Sequence, residues 1–114
     1  MPVVIIYGVP QTYKTEELEK LIPDIQLVIE GVEGLNVSAH HVSVFFPLER
    51  VGKGLGEKIV VFINIHEKPT RTTEALAEMS KRVGERIKKF YFQKSLVEVF
   101  ANQTNSKIFW KSKD

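Results

Sequence analysis

Two apolar runs set the terms for this chain. Val3-Val4-Ile5-Ile6 near the start and Ile59-Val60-Val61-Phe62-Ile63 in the middle are hydrophobic at every position. Successive strand residues point to opposite faces of a sheet, so a half-solvated strand alternates apolar and polar side chains. A run without alternation asks for cover on both faces. Only two helical patterns are available to supply it. Leu18, Leu21, Ile22, Ile25, Val28, Ile29 and Val32 fall on one stripe between about Thr15 and Val32. Leu76, Met79, Val83, Ile87 and Phe90 repeat that spacing in a second segment. Two helices of this size cover one face of a sheet. The other face is expected to meet a second copy of the chain, which makes the protein a homo-oligomer.

Taken in order, residues 3–9 read as a buried strand stopped by Pro10-Gln11-Thr12. Pro23 lies inside the first helical pattern. It removes one backbone hydrogen bond and crowds the carbonyl of Glu19, which predicts a kink near residues 19–23 with the helix continuing beyond it. Gly31 and Gly34 offer a helix stop. His41 to Leu48 reads as a second strand ended by Pro47, residues 50–57 as a flexible loop, and Lys58 to His66 as a third strand. Pro69-Thr70-Arg71-Thr72 leads into the second helix, with Thr70 or Thr72 as its cap. Ser95 to Ala101 is the fourth strand, Asn102-Gln103-Thr104-Asn105 a turn, and Lys107 to Trp110 a short last strand. The lead-in Pro10-Gln-Thr-Tyr-Lys-Thr-Glu-Glu-Leu18 resembles Pro69-Thr-Arg-Thr-Thr-Glu-Ala-Leu76, which suggests two copies of one strand–helix–strand unit. The expected fold is α+β: a single domain over residues 1–114, built as two β-α-β repeats in a two-layer sandwich.

Several function classes drop out on composition. The chain has no cysteine, which removes disulfides, thiolate metal sites and cysteine nucleophiles. No stretch approaches the ~18 apolar residues of a membrane span, and no charged region precedes the first apolar run as in a secretory signal. A cytoplasmic protein without membrane association is the expectation. Net charge is +2, and the bases Lys81, Arg82, Arg86, Lys88 and Lys89 are interleaved with Glu78 and Glu85. That pattern is a solvated helix face, so no nucleic-acid partner is expected. The third strand, Lys-Ile-Val-Val-Phe-Ile-Asn-Ile, also lacks the Gly-Phe-type aromatic motif of an RNA-binding sheet.

Other candidate sites reduce to structure. Gly52-Lys53-Gly54-Leu55-Gly56 has no Gly-Lys-Ser/Thr and no following helix, so it is a strand connection and not a phosphate loop. His40 and His41, as strand neighbours, point apart, and no carboxylate stands at ligand spacing beside them or beside His66. No metal and no cofactor are expected. Phe90, Tyr91, Phe92, Phe100, Phe109 and Trp110 give the C-terminal half an aromatic bias suited to core or subunit-interface packing. Arg71, just ahead of the second helix, is placed to offer a forked cation to a carboxylate.

Pro2 carries the sharpest chemical expectation. If Met1 is removed, Pro2 becomes the N-terminus and its ring nitrogen is a secondary amine at the end of a rigid strand. Burial disfavours the charged form and lowers its pKa from the ~8 of an α-amino group. A neutral amine near pH 7 can take a proton from the carbon beside a carbonyl, and nearby donors can hold the enolate.

These residues together resemble the tautomerase superfamily, which includes macrophage migration inhibitory factor and the 4-oxalocrotonate tautomerases. The resemblance rests on the Met1-Pro2-apolar-strand start, the doubled β-α-β unit, the Arg71-Thr-Thr-Glu74 lead-in, and the ending Val97-Glu-Val-Phe-Ala-Asn-Gln-Thr-Asn-Ser-Lys-Ile-Phe-Trp110. The Leu21-Ile22-Pro23 step is similar to a small Met-Pro branch of the same superfamily. The resemblance implies a trimer with sheets lining a central barrel, a pocket near Pro2 at each subunit boundary, and Pro2 as the base. It implies substrate-binding roles for Arg71, Phe100 and Asn102. Two parts of the pattern are missing. Residues 34–39, Gly-Leu-Asn-Val-Ser-Ala, lack the lysine that the migration inhibitory factor branch carries after its first helix. The first repeat has Tyr13-Lys14-Thr15 in place of the Gly-Arg-Ser/Thr lead-in of the 4-oxalocrotonate tautomerases. The function implied is keto–enol isomerisation of a small carbonyl acid. The alternatives are a non-catalytic oligomeric ligand-binding or interaction module of the same fold, and a ferredoxin-like domain with the same strand order.

Overall fold

The computed structural model describes residues 2–10, 12–47, 58–90, 96–105 and 112. Strand β1 (Pro2–Tyr7) leads to helix α1 (Thr15–Glu30), a 3-10 turn at Ala39–His41 and strand β2 (Ser43–Phe45). The second half repeats the order with β3 (Lys58–His66), α2 (Thr73–Phe90) and β4 (Leu96–Thr104). The sheet order is β2-β1-β3-β4. β1 pairs in parallel with β2 and β3 with β4, and the two halves meet through the antiparallel β1–β3 pair. Each parallel pair is a direct neighbour joined by its own helix. A ferredoxin-like sheet inserts a strand into each such unit, so that alternative is set aside.

The helix-side face of the sheet is the core. Val4 and Ile6 of β1 and Ile59, Val61, Ile63 and Ile65 of β3 pack against Leu21, Ile25 and Ile29 of α1 and Ala75, Met79, Val83 and Ile87 of α2. Leu18, Val28, Leu76 and Phe90 fill the margins of this cluster. Thr72 caps α2, its Oγ1 accepting the Ala75 N–H at 3.1 Å. At the start of α1 the Glu17 carboxylate accepts the Lys14 N–H at 3.1 Å. Arg86 of α2 pairs with Asp24 of α1 and ties the two helices together.

The second face is apolar and uncovered within the protomer. Phe45 pairs with Ile5, Ile5 with Phe62, and Phe62 with Phe100, so one hydrophobic row crosses all four strands. The Phe62 and Phe100 rings stack at 5.5 Å, and Tyr7 meets Phe62 edge-on at 6.0 Å. Phe45 is 54% exposed and Phe100 47%.

α1 continues through Pro23 as expected, with Pro23 and Glu19 on its exposed side, where the carbonyl that proline leaves without a donor is open to solvent. Two elements differ from the sequence reading. The second strand shrinks to Ser43–Phe45, because the segment before it is tethered to α1. Ala39 donates its N–H to the Glu30 carboxylate at 2.9 Å, and Gln26 donates to the Val42 carbonyl at 2.9 Å. The fourth strand is longer than its composition suggests. Asn102, Gln103 and Thr104 are paired with Asn64, Ile65 and His66 and do not form a turn. The loop at 50–57 and the expected strand at 107–110 fall outside the described residues. No helix among the described residues is long and apolar enough to cross a membrane.

Candidate active site

Pro2 opens β1 with its ring buried on the helix side of the sheet. Beside it lies a pocket of about 180 Å³ lined by Pro2, Asn36, Val37, His41, His66, Lys68 and Arg71. Three pieces of chain build it: the start of β1, the loop from α1 through the 3-10 turn, and the turn that joins β3 to α2. Four of the seven lining residues carry basic side chains, and none carries a carboxylate.

The loop approaches the turn closely because residue 34 is glycine. Gly34 has φ +94°, and a Cβ there would sit 2.8 Å from the Thr70 carbonyl oxygen. Asn36 follows at φ 54°, and its side-chain amide donates to the Thr70 hydroxyl at 3.3 Å. Gly34→Ala is therefore expected to cost about 1–3 kcal/mol, from the left-handed backbone and the clash together. Gly31→Ala, at φ −76° with a Cβ in ordinary contact 3.4 Å from the Leu27 carbonyl oxygen, is expected to be neutral or mildly stabilising. Urea denaturation of the two variants checks this.

Arg71 is the strut of the pocket. It is buried, at 7% exposure, and its Nε donates to the Leu35 carbonyl at 3.0 Å while Nη1 donates to the His66 carbonyl at 2.6 Å. Burial pulls its pKa below the ordinary arginine value, yet a guanidinium stays charged at any physiological pH. Gln103 of β4 donates to the Arg71 carbonyl at 3.4 Å and fixes the turn from the far side. The sequence reading makes Arg71 a forked cation offered to a carboxylate ligand. The structure shows it tying the loop after α1 to the end of β3, with Nη2 lacking a partner among the described residues.

The four residues singled out from the sequence fall into two groups. Pro2 and Arg71 line one pocket. Phe100 and Asn102 do not line it; they lie on the uncovered face of β4, where Asn102 donates to the Asn64 side-chain oxygen at 3.5 Å. Asn36, His41, His66 and Lys68 were not identified as site residues. His41 and His66 were weighed only as metal ligands, and among the described residues no group of His, Cys, Asp and Glu is suited to a metal ion. Lys68 gives no sequence signal beyond its place before Pro69.

No family model matches the chain, and no curated protein matches it by sequence. Solved structures do match, over nearly the whole length. A fused 4-OT described as an asymmetric trimer matches at TM-score 0.74 and 15% identity, covering 98% of this chain and 94% of that one. A member of the cis-3-chloroacrylic acid dehalogenase family matches at TM-score 0.76 and 10% identity, covering 98% and 81%. A macrophage migration inhibitory factor-like protein from Entamoeba histolytica matches at TM-score 0.72 and 9% identity, covering 97% and 95%. The chain has the fold of the tautomerase and migration inhibitory factor superfamily. At these identities the likeness defines the fold and leaves the chemistry to the residues of the site.

Proposed function

We propose that the protein is a homotrimeric keto–enol tautomerase acting on a small carbonyl acid, with Pro2 as the base once Met1 is removed. The observation that carries this reading is a buried Pro2 at the wall of a pocket whose charged groups are all basic. Burial and neighbouring cations both disfavour a protonated amine, so the Pro2 nitrogen is held neutral and ready to accept a proton. It takes that proton from the carbon beside the keto group. The electron pair moves to the carbonyl oxygen, where the basic lining stabilises the enolate, and returning the proton to that oxygen gives the enol. The same positive lining attracts an acid substrate. Assembly through the apolar sheet face brings Phe100 and Asn102 to the pocket of a neighbouring protomer.

The test is the intact mass of the natural protein followed by a phenylenolpyruvate assay. Removal of Met1 with turnover supports the reading, and Pro2→Ala is then expected to lower kcat/KM by about 10²-fold or more. A retained Met1 without turnover would leave the non-catalytic ligand-binding oligomer as the function. Turnover that survived Pro2→Ala would exclude Pro2 as the base.

A further inference from the structure

Resting on the assignment of this pocket as the substrate site, we infer that Lys68, and not Arg71, is the group that binds the substrate's carboxylate. Arg71 is the more obvious choice by residue type, because its fork matches a carboxylate. Two arms of that fork are already committed to the Leu35 and His66 carbonyls, and the side chain is buried. Only Nη2 is left uncommitted among the described residues, and turning the fork for a two-pronged grip on a carboxylate would leave both carbonyls without their donor, a costly loss in a buried setting. The Asn36 amide is committed too, to the Thr70 hydroxyl.

Lys68 is in the opposite state. It is exposed at the pocket rim, and its ammonium has no ion pair or hydrogen bond among the described residues. Its backbone is nevertheless fixed. The Arg71 N–H donates to the Lys68 carbonyl at 2.9 Å, closing a turn with Pro69 at its second position. Pro69 also confines the residue before it to extended backbone. One position earlier, Glu67 donates its N–H to the Thr104 carbonyl at 3.2 Å and anchors the turn to β4. A fixed stem with an unpaired, compact cation suits capture of a carboxylate from solvent. The pocket, at about 180 Å³, is smaller than the ~300–1,000 Å³ of sites for drug-sized ligands, so the acid it takes within one protomer is a short one.

The experiment titrates fumarate, an unreactive short dicarboxylate, into the full-length protein and follows the backbone amide resonances of Asn36, His66 and Lys68. Lys68→Ala is expected to weaken fumarate binding about tenfold. Lys68→Arg is expected to restore most of it, and Lys20→Ala, which removes the same charge from the outer side of α1, to leave it unchanged. With phenylenolpyruvate the Lys68→Ala loss should fall on KM, with kcat little altered. Fumarate that bound Lys68→Ala as tightly as the parent, or that failed to bind the parent at all, would overturn the inference. Because the titration involves no turnover, an inactive protein that still bound fumarate through Lys68 would count against the Pro2 base alone.

Discussion

Replacing Phe45 and Phe100 together by aspartate is expected to reduce the proposed homotrimer to folded protomers of 13.0 kDa at micromolar concentration. Both side chains are about half exposed in the protomer, at 54% and 47%, so the isolated fold does not need them. Both end the apolar row that runs through Ile5 and Phe62. Fully burying an aromatic side chain contributes roughly 1.5–3 kcal/mol. An unpaired carboxylate in an apolar contact adds several kcal/mol of desolvation cost. Every protomer carries both changes, so the penalties recur at each contact of a symmetric assembly. Their sum exceeds what holds together a typical micromolar complex. Light scattering reads the mass, and circular dichroism should show helix and strand content preserved. A parent protein that is monomeric at that concentration, or a double variant that keeps the parent's mass, would remove the sheet face as the interface.

Much of this was legible in the sequence, and the reason is period. Leu21, Ile25 and Ile29 announce a buried stripe by spacing alone, and Val3–Ile6 announces two apolar faces by the absence of alternation. Pairing was not legible. That Phe45, Ile5, Phe62 and Phe100 form a row depends on register between strands far apart in the chain, Ile5 with Phe62 the most distant pair, which no local pattern encodes. The same limit explains Asn102 to Thr104. Their polar side chains read as a turn, but a parallel ladder uses backbone groups, and Asn64 to His66 continue to supply partners. The site divides along similar lines. Pro2 can be singled out from sequence because the chemistry expected of it depends on its own position. Lys68, His41 and Asn36 reach the pocket only when the loop after α1 folds back across the turn before α2, and Gly34 marks that approach in the sequence.

Arg71 gives the second large prediction. Arg71→Ala is expected to destabilise the protein by about 2–4 kcal/mol, enough to lower Tm by roughly 10 °C or more for a chain of this size. The reasoning starts from the two carbonyls it serves. Leu35 belongs to the core, and its carbonyl accepts from Nε at 3.0 Å; His66 ends β3, and its carbonyl accepts from Nη1 at 2.6 Å. Hydrogen bonds to a charged donor contribute about 1.5–3 kcal/mol each, and the cost of burying the guanidinium offsets part of that gain. Arg71→Lys should recover little, because one compact ammonium cannot span two carbonyls that a planar fork bridges. The two roles separate by measurement. A strut predicts a fall in Tm for both variants and a loss of fumarate binding only in proportion to the disordered pocket. A ligand arm predicts an unchanged Tm with binding abolished, and that result would return the carboxylate to Arg71 and leave Lys68 as a rim charge.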